Sequence, residues 1–324
     1  MSKARKFLGA ALAAVFMASA GAAQAEYPDR PVSVIVPWGA GGGADTIMRI
    51  YAIGLEQQLG VPINVVNRTG GNGIVGHSAI MTARPDGYTL GLCTSEISYF
   101  KTIGLGDITP ANFDLISRLG MIPAGVTVAA NAPFADMKAF AEAVKASEKG
   151  TYLASGSGLG GPWHMAIAGY LKAAGMPADQ IKFVASQGGA PALQDLVAGG
   201  ITVFTGSPVE AKPLAEAGEV KVLALMSDEP SEAFPGGPTL KEAPGTDWSL
   251  ANWFSLCAPA GLPEDVKATI VAKGKAAHEV EAVQTALRDR GVTAVWDGPE
   301  AFKTFAGEFS TTAAGILTDL GLAK

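Results

Sequence analysis

The chain has 324 residues, 48% of them hydrophobic and 17% charged, with a formal net charge of −6. This composition is too apolar for a disordered chain, and a net negative surface makes neither nucleic acid nor an anionic membrane an expected partner. An anionic ligand would have to be held by local dipoles, because net charge would not attract it.

The N-terminus reads as a secretory signal peptide over residues 1–25. Lys3, Arg5 and Lys6 precede an apolar stretch from Phe7 to about Ala20, and Ala23-Gln24-Ala25 supplies a small-x-small cleavage pattern. No cysteine stands at the cleavage point, so no lipid anchor is expected. No later stretch is apolar over the roughly 18 residues that a membrane span needs. The expected product is an exported, periplasmic chain of about 299 residues (324 − 25), enough for roughly two domains. Removing the three basic residues leaves 21 basic against 30 acidic, near −9. Cys93 and Cys257 would then sit in an oxidising compartment, where pairing and two buried free thiols both remain open.

From Pro31 onward, short β-branched runs alternate with helical patterns. Residues 32–37 (VSVIVP) read as a buried strand and 39–44 as a glycine loop. Ile47, Ile50, Tyr51, Leu55 and Leu59 then recur on one helical face. A second strand (62–67), a loop NRTGGNG (67–73), a helix from His77 to Ala83, a turn (84–87) and a third strand (88–93) follow. Strands separated by helices imply a mainly parallel sheet flanked by helices. The pattern starts again at 126–131 (strand) and 134–147 (helix). Then come a strand at 151–155, the glycine loop GSGLGGP at 156–162 and a helix at 163–175. Further segments are a strand at 181–186, a helix at 189–200 stopping at glycine, and strands at 201–207, 220–227 and 253–259. Helices finish the chain. One arrangement, strand to glycine loop to helix N-terminus, occurs once in each half.

Three chemistries fit such a loop. Gly39-Ala-Gly41-Gly-Gly-Ala44 satisfies G-x-G-x-x-A, the dinucleotide fingerprint. However, Asp45 at the helix start would repel a pyrophosphate, and no Walker lysine follows. A hydrolase would need a nucleophile elbow, and Ser155 stands where G-x-S-x-G around Ser157 requires glycine. A Ser–His pair with His164 is conceivable, but no orienting acid is evident. His77 and His278 read as surface or helix-face residues, and no ligand spacing suggests a metal. The third chemistry uses the free N–H groups and dipole of a helix start to hold a carboxylate, with glycines allowing close approach. Two such loops on facing domains would grip a small acid from both sides.

The blocks YPDRPVSVIVPWGAGGGADTIMR (27–49), VNRTGGNGIVG (66–76), RPDGYTLGL (84–92), ASGSGLGGPWH (154–164), GGAPALQDLVAGGI (188–201) and WFSLCAPAGLPEDV (253–266) together resemble the Bug-type, TctC-like solute-binding proteins of tripartite tricarboxylate transporters. The resemblance spans nearly the whole mature chain. It implies an α/β, two-lobed periplasmic binding fold of type II-like form. Lobe 1 would comprise residues 27–125 and 225–324, lobe 2 residues 126–224, and a ligand cleft would separate them. It further implies a receptor that captures a small carboxylate by hinge closure and passes it to membrane permease subunits, without catalysis, cofactor or metal, as a monomer. A sensor role feeding a membrane kinase, or an exported enzyme acting on an organic acid, are the alternatives. Carried onto this sequence, the ligand contacts are Trp38, Gly39, Gly42, Gly43 and Asp45 in the first loop. The second loop contributes Ser155, Gly156, Ser157, Gly158 and His164, and the strand ends Thr94, Ser95, Gln187, Gly188 and Ser207. The family's usual P-Y-x-G is replaced by Ala185-Ser186-Gln187-Gly188, so no particular ligand transfers. Trp38 reads equally as an N–H donor to the ligand or as an apolar lid, and Asp45 as a ligand contact or a helix-start acid.

Overall fold

The computed structural model describes residues 27–324 apart from 187, 232, 233, 235 and 243–245. The expected signal peptide and the contact expected of Gln187 lie outside the described residues. Among those described, no helix is long and apolar enough to cross a membrane.

β1 (Val32–Val36), β2 (Ile63–Asn67) and β3 (Thr89–Thr94) form a parallel set in the order β2-β1-β3, crossed by α1 (Gly43–Leu59) and α2 (Ile74–Met81). The periodic residues Ile47, Ile50, Tyr51, Leu55 and Leu59 are all buried, and α1 stops at Gly60 in the left-handed region (φ 72°). A long strand, β4 (Phe113–Ala129), then runs through the molecule. It is followed by α3 (Met137–Ala146), β5 (Leu153–Ser155), α4 (Pro162–Ala173), β6 (Lys182–Phe183), α5 (Gly189–Val197), β7 (Val203–Phe204), α6 (Pro208–Glu216) and β8 (Val220–Met226). β9 (Ala251–Pro259), α7 (Glu264–His278), α8 (Glu281–Arg288), β10 (Thr293–Ala294) and α9 (Pro299–Asp319) complete the chain.

β4 organises both halves. Its residues Phe113–Pro123 pair antiparallel with β9, which also pairs antiparallel with β3. Its residues Ala124–Ala129 pair with β8, and Thr127 and Val128 with β7. β5 lies parallel between β6 and β7. The result is a curled sheet, parallel at both ends and antiparallel around β4, with helices on its faces, as the α/β expectation has it.

The sequence reading recovers only the last few residues of β4, from 126. Gly120 and Pro123 argue locally against a strand, yet each has a reason in the fold. A Cβ at position 120 would lie 2.4 Å from Val292 Cγ1 and 3.1 Å from the Thr293 carbonyl, so β10 packs there only against glycine. Pro123 stands where β4 exchanges β9 for β8. The helix α6, which carries Pro213 in its interior, is also missed by periodicity. β5, β6 and β7 are shorter than expected because their chains leave early for the cleft loops. Ser186, for example, donates its N–H to the Ser157 carbonyl (2.9 Å) instead of continuing β6.

The open question about the cysteines resolves into a bond. Cys93 on β3 and Cys257 on β9 are joined by a disulfide, with Cα atoms 6.0 Å apart across 164 residues of sequence. Residues so far apart become neighbours only because β3 and β9 pair, with Gly91 opposite Cys257 and Cys93 opposite Ser255. Replacing both cysteines with alanine is expected to cost about 2–4 kcal/mol, chiefly by freeing the unfolded chain. An unchanged urea midpoint for the double variant would show that strand pairing already supplies all the constraint.

Candidate ligand-binding site

The first glycine loop is built from inside. Gly42 donates its N–H to the Gly39 carbonyl (3.2 Å) and caps α1 with φ −74° and ψ 171°; its own carbonyl accepts from Thr46 N–H (2.9 Å). Gly41 takes φ 79°, a left-handed conformation that glycine adopts without strain. Its N–H is donated to Asp45 Oδ2 (2.8 Å). Asp45 also accepts from Arg49 Nε at Oδ2 (2.9 Å) and from Asn67 Nδ2 at Oδ1 (2.8 Å). Burial pushes the Asp45 carboxyl up, but these three donors, Arg49 foremost, outweigh it and hold its pKa at about 2.

The second loop repeats this geometry residue for residue. Gly161 donates its N–H to the Gly158 carbonyl (3.2 Å) and caps α4 with φ −74° and ψ 174°; its carbonyl accepts from Met165 N–H (3.0 Å). Gly160 takes φ 73°, and its N–H is donated to His164 Nδ1 (3.0 Å). Gly41 and Gly160 are thus equivalent, and so are Asp45 and His164, the third residues of their helices. One loop is clamped by a carboxylate and the other by an imidazole, each four residues beyond the glycine it holds. A Cβ added at Gly39, Gly43 or Gly158 would meet nothing within 4 Å, so space stands open beside the backbone of both loops.

This equivalence gives two of the expected ligand contacts a bracing role inside the protein. Asp45 spends three of the roughly four hydrogen bonds a carboxylate can accept within the protein, so it braces the loop. His164 is likewise a brace. Its ring stacks on Phe183 (centroids 4.4 Å apart) and borders a surface depression with Leu159, Leu320 and Leu322. Burial lowers its pKa to about 4, which keeps Nδ1 unprotonated and able to accept. The conceivable Ser–His pair does not form, since Ser155 Oγ and Ser157 Oγ make no hydrogen bond at all.

Trp38 is bonded and packed within the protein. Its Nε1–H is donated to Thr94 Oγ1 (3.1 Å), and its carbonyl accepts from Asn67 Nδ2 (2.9 Å). The ring packs so closely on Gly73 that a Cβ there would lie 2.9 Å from it. His77, read as a surface or helix-face residue, lies on α2 and is fully buried behind this contact. Its Nε2 accepts from Thr94 N–H (3.2 Å), which leaves the proton on Nδ1 to be donated to the Gly73 carbonyl (2.9 Å). Burial, only partly opposed by the Gly73 carbonyl, lowers its pKa to about 4. His77 therefore ties the 67–73 loop to the end of β3. His278 is also buried, with Nε2 on the Leu119 carbonyl (3.0 Å), far from either loop in its bonding.

Of the remaining expected residues, Thr94 and Ser95 join the first cluster, where Ser95 Oγ–H is donated to Asn252 Oδ1 (2.7 Å) at the start of β9. Ser155, Gly156, Ser157, Gly158, Gly188 and Ser207 form the second cluster. Ser186 bonds Ser157 through its N–H and the Gly188 carbonyl through its hydroxyl (3.1 Å). A Cβ on Gly156 would lie 3.2 Å from Gly206 N, beside Ser207, which starts α6. Gly188 caps α5 at φ 143°, where any other residue would be strained. Both clusters touch β4: Asn252 lies opposite Ile122, and Gly125 N–H is donated to the Gly206 carbonyl (3.0 Å). Two polar residues missed by the sequence reading belong to the first cluster: Asn252, and Glu96 directly after Ser95. A lone charged residue closing the strand-end stretch CTSEIS was the available signal. Among the described residues, no group of three or more His, Cys, Asp or Glu is placed to hold a metal.

The family model described as the tripartite tricarboxylate transporter family receptor matches residues 47–322. Protein BugT of Bordetella pertussis is 27% identical over 319 residues, covering 96% of this chain and 97% of its own length. A TctC solute-binding protein from Polaromonas superposes with a TM-score of 0.77 at 29% identity, over 90% of this chain and 99% of that one. Rpa4515 of R. palustris, solved with adipate, has a TM-score of 0.80 at 23% identity over 92% and 99% of the two chains, a likeness of fold.

Proposed function

Because the chain belongs to the tripartite tricarboxylate transporter receptor family, a family of periplasmic solute-binding proteins, we propose that it captures a small organic carboxylate between its two glycine loops and delivers it to a membrane permease. The observation that carries this reading is the matched pair of loops. Two helix starts with the same cap geometry and the same glycine clamp open onto space unfilled by side chains. The free N–H groups and dipole of a helix start together attract an anion by roughly 0.3–1 kcal/mol, and by up to ~2 kcal/mol when partly buried. A net negative chain thereby collects an anion without a basic pocket. Similar folds have been solved with malate and with adipate, in MatC of Rhodopseudomonas palustris and in Rpa4515.

In this reading residues 27–125 and 225–324 move as one lobe and 126–224 as the other. The chain then crosses twice, in β4 near residue 125 and in β8 near residue 225. A ligand touching both loops favours the closed arrangement over the open one by its differential affinity. Export through cleavage near Ala25 places the receptor where the permease can meet it. The test is a thermal-shift screen of residues 26–324 against about a hundred carboxylates and their amides. A ligand present at 100 times its Kd stabilises the fold by ~2.7 kcal/mol. Related acids should shift the midpoint while their amides stay silent. Equal shifts from acids and amides would remove the anion cradle from the mechanism.

A further inference from the structure

Carboxylates are seldom buried without a partner, because the charged form loses its hydration and gains nothing in return. One oxygen of the Glu96 carboxyl stands in that position. The residue is 7% exposed, yet its Oε2 makes no hydrogen bond, and the neighbouring Ser98 Oγ and Tyr99 hydroxyl are unpartnered as well. Glu96 directly follows two residues of the first cluster. Thr94, two residues earlier, is held by Trp38 of the first glycine loop, and Ser95 by Asn252 of β9. The Glu96 carboxyl lies among the hydroxyls of Thr94, Ser95 and Tyr99, at the end of β3 where the loop after β1 also ends. Burial raises its pKa, and those hydroxyls only partly oppose the rise. A ligand carrying a second carboxylate would set like charges together there. A ligand carrying a protonated nitrogen would give Oε2 and its orphaned neighbours their missing partner.

We propose that Glu96 is the specificity-determining residue of the cleft and reads an ammonium group on the ligand, so that the preferred class is an amino acid and not a plain di- or tricarboxylate. This rests on the carboxylate reading of the glycine loops, which hold the other end of the same molecule. The two ends are served by different chemistry: backbone N–H groups for the anion, a buried acid for the cation. When the ammonium docks, Glu96 ionises, and any proton it carried leaves to solvent.

The test uses isothermal titration calorimetry with matched pairs: aspartate and succinate, glutamate and glutarate, leucine and 4-methylpentanoate. The wild type should favour the amino member of at least one pair by 30-fold or more. That binding should release more protons at lower pH, where the raised carboxyl carries one, read from buffers of different ionisation enthalpy. Glu96→Gln should weaken the amino acid by 10- to 100-fold and change the deaminated acid by less than 3-fold, and Glu96→Asp should recover part of the loss. Preference for the deaminated members, or equal losses for both members in Glu96→Gln, would overturn the role of Glu96 and leave the cradle standing. The wild-type preference needs no variant, so a misfolded Glu96→Gln would not shelter the proposal. Silence from both members of every pair would overturn the carboxylate reading as well.

Discussion

Gly43→Leu and Gly158→Leu are each expected to weaken carboxylate binding by at least 100-fold, about 2.7 kcal/mol, while leaving the thermal midpoint of the free protein near that of the wild type. The structure separates the two effects. Neither glycine has a left-handed φ, and a Cβ on either meets no atom within 4 Å. Gly43 is the first residue of α1, where leucine is a better helix former than glycine by up to ~1 kcal/mol. A side chain there fills the space beside the N–H groups that would hold the anion. Gly307→Leu, on the exposed side of α9 with equally open surroundings, is the control for the substitution itself. If both loops grip the same ligand, either substitution alone suffices. Wild-type affinity in Gly43→Leu with loss only in Gly158→Leu would place the ligand on one loop and remove the two-sided grip.

What the sequence could reveal about the site followed from what is local. A glycine loop entering a helix is a contiguous signal, and its repetition at 39–43 and 156–161 pointed to both clusters before any contact was known. The equivalence of Asp45 and His164 was not legible, because an acid and an imidazole look unlike in sequence although both here accept one glycine N–H. His164 was therefore read as a ligand contact, and Asp45 as either a ligand contact or a helix-start acid. The burial of His77 was not legible for a related reason. It comes from Thr94 and Gly73, which β3 and the 67–73 loop bring to opposite sides of the ring. The β4 strand and the disulfide depend on pairings far apart along the chain, and a local pattern containing Gly120 and Pro123 argues the wrong way. Glu96 was visible as a charge at a strand end, but its significance lies in what fails to reach Oε2, which no sequence displays.

Acidification from pH 7 to pH 4 is expected to remove about 6 kcal/mol of folding stability through His77 and His164, a large share of the 5–15 kcal/mol typical of a folded domain. Both rings are buried, and both have folded pKa values of about 4 against 6.5 for an unfolded chain. The unfolded state therefore takes up the protons first. Stability is fully present above about pH 6.5 and is lost progressively as pH falls towards 4, at about 3 kcal/mol for each ring. His278, also lowered chiefly by burial, acts in the same direction. Asp45 enters later: its folded pKa of about 2 lies below the ordinary carboxylate value, so its contribution begins to fall only below about pH 4. Urea titrations between pH 7.5 and 4.5 should show a slope near pH 5 of about 2.7 kcal/mol per pH unit, halved in His164→Asn or His77→Asn. Profiles running parallel to the wild type would mean that these rings accept protons without unfolding. The two loops should also fail in order. Protonated Nδ1 of His164 cannot accept the Gly160 N–H, whereas Asp45 still holds Gly41 at that pH. Amide exchange should accordingly rise at Gly160 one to two pH units before it rises at Gly41, and loosening of both loops together would show that the clamps are not independent.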